Sequence, residues 1–123
     1  MKFTLDARTD VNLIRGYTAG GLRIGALTVS LPCLVAADLL ITDWSAPVTA
    51  DLAAAHLDRI FTLQPEVVVL GTGAQQRFPS SEVRQAFAVR GIGLEPMDLK
   101  AACRTYNILV QEERRVVALL LSS

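Results

Sequence analysis

This sequence predicts an α/β fold with a mixed sheet, and three observations carry the prediction. Val67–Leu70 is an unbroken apolar run with three β-branched residues, as a strand covered on both faces requires. A helical pattern, Glu82–Arg90, separates it from a second strand pattern, Ile92–Met97, which makes a βαβ unit over 66–97 with two parallel strands. The first forty residues read differently, as short apolar runs punctuated by Gly, Pro and Asp, an antiparallel β-rich part.

In chain order, residues 1–10 are polar and mixed, and are expected to form a loose N-terminal arm. Val11–Tyr17 and Leu22–Val29 flank Gly20-Gly21 and predict a hairpin. Leu31–Ala37 and Leu39–Thr42 predict further strand, separated by Asp38, with Pro32 at an edge or bend. After Pro47 the good helix formers of Asp51–Ile60 predict one helix starting at Thr49 or Ala50. Its Ala53, Leu57, Ile60 and Phe61 share a face, with His56 beside it. Gln64-Pro65 ends that helix. Pro79-Ser80-Ser81 opens the next, on which Val83, Ala86 and Phe87 point inward and which Gly91 closes as a left-handed cap. Asp98 is the expected N-cap of a last helix running to about Gln111, with Leu99, Ala102, Cys103, Tyr106 and Leu109 at helical spacing. Ile108–Val110 also admits a strand. Val116–Leu121 is a final buried strand.

Composition bounds the function. The chain has 123 residues, 51% of them apolar, which fits one domain able to bury roughly two-thirds of the surface of its unfolded chain. Twelve basic and twelve acidic residues cancel, with no basic run, so nucleic acid is not the expected partner. Every apolar run falls short of the ~18 residues of a membrane span. The opening Met1–Asp6 resembles neither signal nor transit peptide, and a cytoplasmic protein is expected. Cys33 and Cys103 form no metal-ligand spacing and read as buried, reduced thiols, so neither metal nor cofactor is expected. A catalytic thiol would need His56, the one histidine.

The parallel strands give one candidate site. Their C-terminal ends share a sheet edge, the place where open α/β sheets bind ligands. The loop Gly71–Pro79 and Met97-Asp98 lie there together. Gly71, Thr72, Gly73, Arg77 and Ser80 would offer backbone N–H groups, a hydroxyl and a guanidinium to a carboxylate or phosphate. Glu95 and Asp98 lie near the same edge, and Glu95, if buried, would need Arg77 or Arg104 as partner. Gly71-Thr72-Gly73-Ala74-Gln75-Gln76 fails the dinucleotide fingerprint and no Lys-Ser or Lys-Thr follows, so the glycines serve equally well as a tight turn. Arg104, Thr105 and Asn107 lie off the apolar stripe of the last helix, facing either solvent or a groove.

An ordered series of segments resembles a known family. It comprises Ile14-x-x-Tyr17, Gly25 to Trp44, Gly71-Thr72-Gly73, Arg77-Phe78-Pro79, Gly91–Met97, Thr105-Tyr106-Asn107 and Glu113–Leu120, and covers nearly the whole chain. The family is a domain of unknown function that includes mitochondrial complex I assembly factor three and the adipogenesis-associated domain protein, with many bacterial members. The resemblance implies a three-layer α/β domain with a central mixed sheet and no established enzyme activity. Its eukaryotic members are described as acting through protein partners. Members commonly carry threonine near 98 or 99 and glycine near 113 or 114, where this chain has Asp98-Leu99 and Glu113-Arg114. Without a targeting peptide, a bacterial cytoplasmic member is the expectation.

Two functions follow. One is a non-enzymatic binding or assembly protein, resting on the resemblance and on apolar residues of Leu31–Trp44 expected at the surface. The other is a small-molecule or anion-binding protein, with or without enzyme activity, using the 71–79 loop. Homo-oligomerisation through the β-rich part is a third expectation.

Overall fold

The computed structural model describes residues 10–18 and 21–123, so most of the expected arm and Gly20 of the expected turn lie outside the described residues. The centre of the fold is a five-stranded sheet whose strands alternate their side chains between two separate cores. β4 (Cys33–Ala36), β5 (Leu39–Ile41), β6 (Val67–Gly71), β7 (Gly93–Met97) and β8 (Val116–Leu120) lie in the order β5-β4-β8-β6-β7. β8 runs antiparallel to β4 and parallel to β6, and β6 runs parallel to β7. Every residue of β4, β6 and β8 is buried, as their continuous apolar runs require.

Val67, Val69, Val116, Ala118, Cys33 and Val35 point to one face. There they meet Ala102, Cys103, Tyr106 and Val110 of α3 (Leu99–Gln111), together with Ile14, Leu22, Ile24 and Val29. Val68, Leu70, Val117, Leu119, Leu34 and Ala36 point to the other face, against Leu52, Leu57, Ile60, Val83 and Phe87. The three layers implied by the resemblance are therefore α3 with a small sheet, the mixed sheet, and the segments around α1 (Asp58–Thr62) and α2 (Ser81–Ala88).

The small sheet refines the expected hairpin. β1 (Ile14–Thr18), β2 (Gly21–Ile24) and β3 (Leu27–Val29) form an antiparallel meander. The expected strand Leu22–Val29 is two strands, because Gly25 takes φ +59° and reverses the chain in a two-residue turn between Ile24 and Leu27.

The single helix expected over Asp51–Ile60 is not formed. Two 3-10 turns, Thr49–Asp51 and Ala54–His56, precede the short α1. Leu52 and Ala53 are extended between them, and the Ala53 N–H donates to His56 Nδ1 at 2.9 Å. A continuous helix would set Leu52 and Leu57 about 140° apart around its axis. Breaking the chain lets Leu52, Leu57 and Ile60 all enter the second core, so packing overrides helix propensity. The apolar run Leu31–Trp44, expected at the surface, supplies core residues instead: Cys33–Ala36 and Trp44 are buried, while Leu31, Ala37 and β5 are half-exposed.

Asp98 and Gly91 cap their helices as the sequence predicts, and Ser80, expected to face a ligand, is the N-cap of α2. Ser80 Oγ accepts the Val83 N–H at 3.3 Å and Asp98 Oδ1 accepts the Ala101 N–H at 3.0 Å. Gly91, at φ +68°, closes α2 with paired bonds from Gly91 N–H to the Ala88 carbonyl and from Ile92 N–H to the Phe87 carbonyl. The helical reading of Ile108–Val110 holds, and α3 closes in the same geometry on Glu113 at φ +64°.

Candidate functional site

The paired ends of β6 and β7 bring the predicted loop edge together. The Thr72 N–H donates to the Met97 carbonyl at 2.9 Å, and the Leu99 N–H donates to the Gly73 carbonyl at 2.7 Å. Thr72 is buried, and its Oγ1 lies 2.6 Å from the Gln75 carbonyl and 3.1 Å from the Met97 carbonyl while accepting the Arg77 N–H at 3.0 Å. One hydroxyl therefore fastens both ends of the loop. Gly73 has φ +86°, and a Cβ there would stand 2.5 Å from Ser123 Cα. The Ala74 N–H, one of the groups a bound anion would use, donates to Ser123 Oγ at 2.8 Å. Gly71 lets α3 approach the sheet, since a Cβ would meet Leu120 at 2.9 Å and Ala102 at 3.1 Å.

Gly71, Thr72, Gly73 and Asp98 are thus gathered, and the oxygens of Ser80 and Asp98 are used as helix caps. Arg77 is exposed and reaches Gln75 Oε1 at 3.3 Å. Glu95 is exposed on the edge strand β7, so the partner that burial would require is not needed. Pro96 sits on the same edge, and its carbonyl turns outward to accept Gln76 Nε2 at 2.9 Å. Its missing N–H therefore costs the ladder nothing and blunts the edge. Ser123, Gln75 and Gln76 were absent from the predicted site; Ser123 gives no local signal, because only the β6–β8 pairing brings the chain end here.

A groove of about 220 Å³ separates β1 from α3. Arg15, Gly16 and Tyr17 line one side, and Lys100, Cys103, Arg104 and Asn107 line the other. These four helix positions recur at the spacing of one face. The Asn107 carboxamide accepts the Ile14 N–H at 2.9 Å and donates to the Ile14 carbonyl at 2.8 Å, standing in for a neighbouring strand. Tyr106 Oη donates to the Asn12 carbonyl at 2.7 Å, and Asn12 Nδ2 donates to the Ala36 carbonyl at 3.0 Å. Arg104 and Asn107 therefore face a groove, the alternative that spacing left open.

The opposite end of the sheet carries a shallow hollow of about 690 Å³ lined by Arg90, Arg114, Arg115 and Glu66. Arg90 stacks 4.0 Å over the Phe61 ring. Glu66 Oε1 accepts the Arg115 N–H at 2.8 Å and Oε2 lies 3.5 Å from Arg114 Nε. The Arg115 N–H, then the two arginine charges, hold this carboxyl below its usual range.

The thiols sit in the first core, while His56 belongs to the segment over the second, so the structure forms no thiol–histidine pair. Burial pushes Cys33 up to about 12, with Cys103 adding to the shift, and burial pushes Cys103 up to about 11. Among the described residues no three His, Cys, Asp or Glu side chains gather as metal ligands would. None of the described helices is long and apolar enough to cross a membrane.

Comparison with known proteins places this geometry. A crystal structure from Bordetella parapertussis superposes with a TM-score of 0.84 at 34% identity, covering 94% of this chain and 98% of that one. A protein of Danio rerio named NADH dehydrogenase [ubiquinone] 1 alpha subcomplex assembly factor 3 is 34% identical over 111 residues, 89% of this chain and 63% of its own length. A protein of Francisella tularensis named 13 kDa major membrane protein is 38% identical over 66 residues, 54% of each chain. The matches thus span a little over half the length of these two relatives. The family described as protein of unknown function (DUF498/DUF598) matches residues 14–121, and this chain belongs to it.

Proposed function

We propose that this chain is a non-enzymatic assembly domain that works by binding protein partners. The observation that carries the reading is at the 71–79 loop. The polar groups that would meet a ligand there, Thr72 Oγ1, the Ala74 N–H and the Asp98 carboxylate, are bonded to the chain itself. Polar groups already bonded within the chain in this way, with Thr72 buried among them, leave little binding capacity for a small molecule. The name of the Danio rerio relative gives the partner class to test first, the subunits of NADH dehydrogenase. A cytoplasmic chain that reaches the membrane through such a partner also accommodates the name of the Francisella tularensis relative.

The test is in-cell cross-linking of the tagged chain followed by mass spectrometry. One stoichiometric partner with cross-links to defined lysines is expected, together with lower NADH oxidation by membranes of a strain lacking the chain. Background proteins alone and unchanged oxidation would overturn the reading. Light scattering on the purified chain tests self-association.

A small anion at the 71–79 loop is the second reading. It is favoured by Arg77, which is exposed while its backbone is held to Thr72. Phosphate at 100 times its dissociation constant would then add about 2.7 kcal/mol. Thermal shift in phosphate or citrate, with Arg77→Ala as control, decides between the two, and the assembly reading expects no shift.

A further inference from the structure

The groove between β1 and α3 differs in kind from the loop. Among the described residues its charged side chains are all cationic: Arg15 from the strand and Lys100 and Arg104 from the helix, with no described aspartate or glutamate in the lining. On a chain of zero net charge, three like charges along one groove are a local asymmetry. None of the three has an ion pair among the described residues. Among the described residues, the edge of β1 above the groove is paired with β2 on one side only. At Ile14 its outward N–H and carbonyl are met by the Asn107 carboxamide, a substitute for extended backbone. Tyr17, 40% exposed, supplies an apolar wall at the same groove.

We propose that this groove receives an acidic, extended segment of a protein partner, its carboxylates set against Arg15, Lys100 and Arg104. The proposal rests on the protein-binding reading above and names the surface and the chemistry of the occupant. Guanidinium groups of Arg15 and Arg104 suit carboxylates through paired N–H donors, and Lys100 adds a point charge. Charges at the rim of such a groove steer association and fix the partner's sign, and salt screens them. The polar, cationic lining selects against an apolar helix as occupant. Phosphate polymers share the negative charge but lack the apolar side chains that the exposed Tyr17 wall would meet.

The test is fluorescence anisotropy of a fluorescein-labelled peptide alternating glutamate with threonine and valine, titrated with the full chain. Saturable binding is expected, weakening as salt rises. A peptide with every glutamate replaced by glutamine should bind at least about tenfold more weakly, a factor worth about 1.4 kcal/mol. The double variant Lys100→Glu, Arg104→Glu should lose a similar factor with its melting temperature unchanged, since both side chains are exposed. Equal binding of the two peptides, or undiminished binding by the double variant, overturns the proposal. So does binding of inorganic polyphosphate in place of the acidic peptide, which would mark an anion site and not a peptide groove. A second double variant, Arg15→Glu with Arg104→Glu, which keeps Lys100 for cross-linking and should lose the peptide likewise, separates the two claims in the cross-linking experiment. A partner retained by a variant that no longer binds peptide removes this surface and leaves the assembly reading standing. The absence of any partner for the unaltered chain removes the assembly reading itself.

Discussion

Glu113 holds a backbone conformation that side chains resist. Its φ of +64° closes α3 in the geometry that Gly91 gives α2. A residue with a Cβ pays about 1–2 kcal/mol there. Glu113→Gly should therefore stabilise the domain by about 0.5–1 kcal/mol, since glycine returns part of the gain as unfolded-state entropy. Denaturant titration checks this, with Glu113→Ala expected to bring no gain. Gly73 is the opposite case. Gly73→Ala meets both the positive φ and the Ser123 backbone, and should cost about 2–4 kcal/mol. Deleting Ser123 alongside it should recover the steric part. The thiols make a pH prediction. Their folded pKa values lie above those of the unfolded chain, so the stability they contribute is complete below about pH 9. It is lost as pH rises from about 9 toward 12, because only the unfolded chain ionises there. The double variant Cys33→Ala, Cys103→Ala should flatten that part of the pH–stability curve. Much at this scale was legible: Asp98 and Gly91 act as their residue types and spacing indicated, whereas Ser80, read as a pocket residue, is an N-cap. Glu113 was visible only as a departure from the glycine common in the family, and Ser123 was not visible at all.

Elements show where local rules yield to packing. α3 formed as its apolar spacing required, whereas Asp51–Ile60 did not form one helix because three apolar residues had to reach one core. No pattern of propensity reveals that competition, since alanine-rich sequence favours the helix until a tertiary core selects otherwise. β1 depends on its neighbour in a similar way. A three-stranded sheet this short is marginal alone, and Asn107 ties its edge to α3 through both polar atoms of the Ile14 backbone. Asn107→Ala should cost about 1–3 kcal/mol and leave two backbone groups unpaired. Hydrogen exchange should then quicken in Ile14–Thr18 well before β6 and β8, which marks a local opening. The parallel pairing of β6 with β7, and so the position of the 71–79 edge, was legible from the βαβ pattern. The groove on the other side of α3 was not, because it joins residues 15 and 104 across the chain.

The whole molecule has two cores but one sheet between them. Leu34 belongs to one core and Val35 to the other, on adjacent positions of β4. Leu34→Ala should cost about 2–5 kcal/mol and Val35→Ala somewhat less, since fewer methylenes are lost. Both should lower a single cooperative transition, followed alike by far-UV and near-UV circular dichroism, because either face unfolds only when the shared strands do. Two separate transitions would show the cores to be independent. The charges of this domain follow the same division of space, with cations gathered in the groove on the α3 side and at the Arg90–Arg114–Arg115 end while the total is zero.

The α/β class, the buried strands, the parallel unit, the Asp98 and Gly91 caps and the shared edge of Gly71 and Met97 can all be read from the order of the residues. Each of these depends on neighbours within a few residues or on one short crossover, where periodicity and capping chemistry act directly. That Ser123 fills the loop, that the Asp51–Ile60 segment breaks, and that Arg15 lines one groove with Lys100 and Arg104 emerges from long-range packing alone. Those outcomes depend on β8 lying between β4 and β6 and on the small sheet lying over α3. Such placements are set by the burial of two whole faces at once, a condition that no local run of residues records.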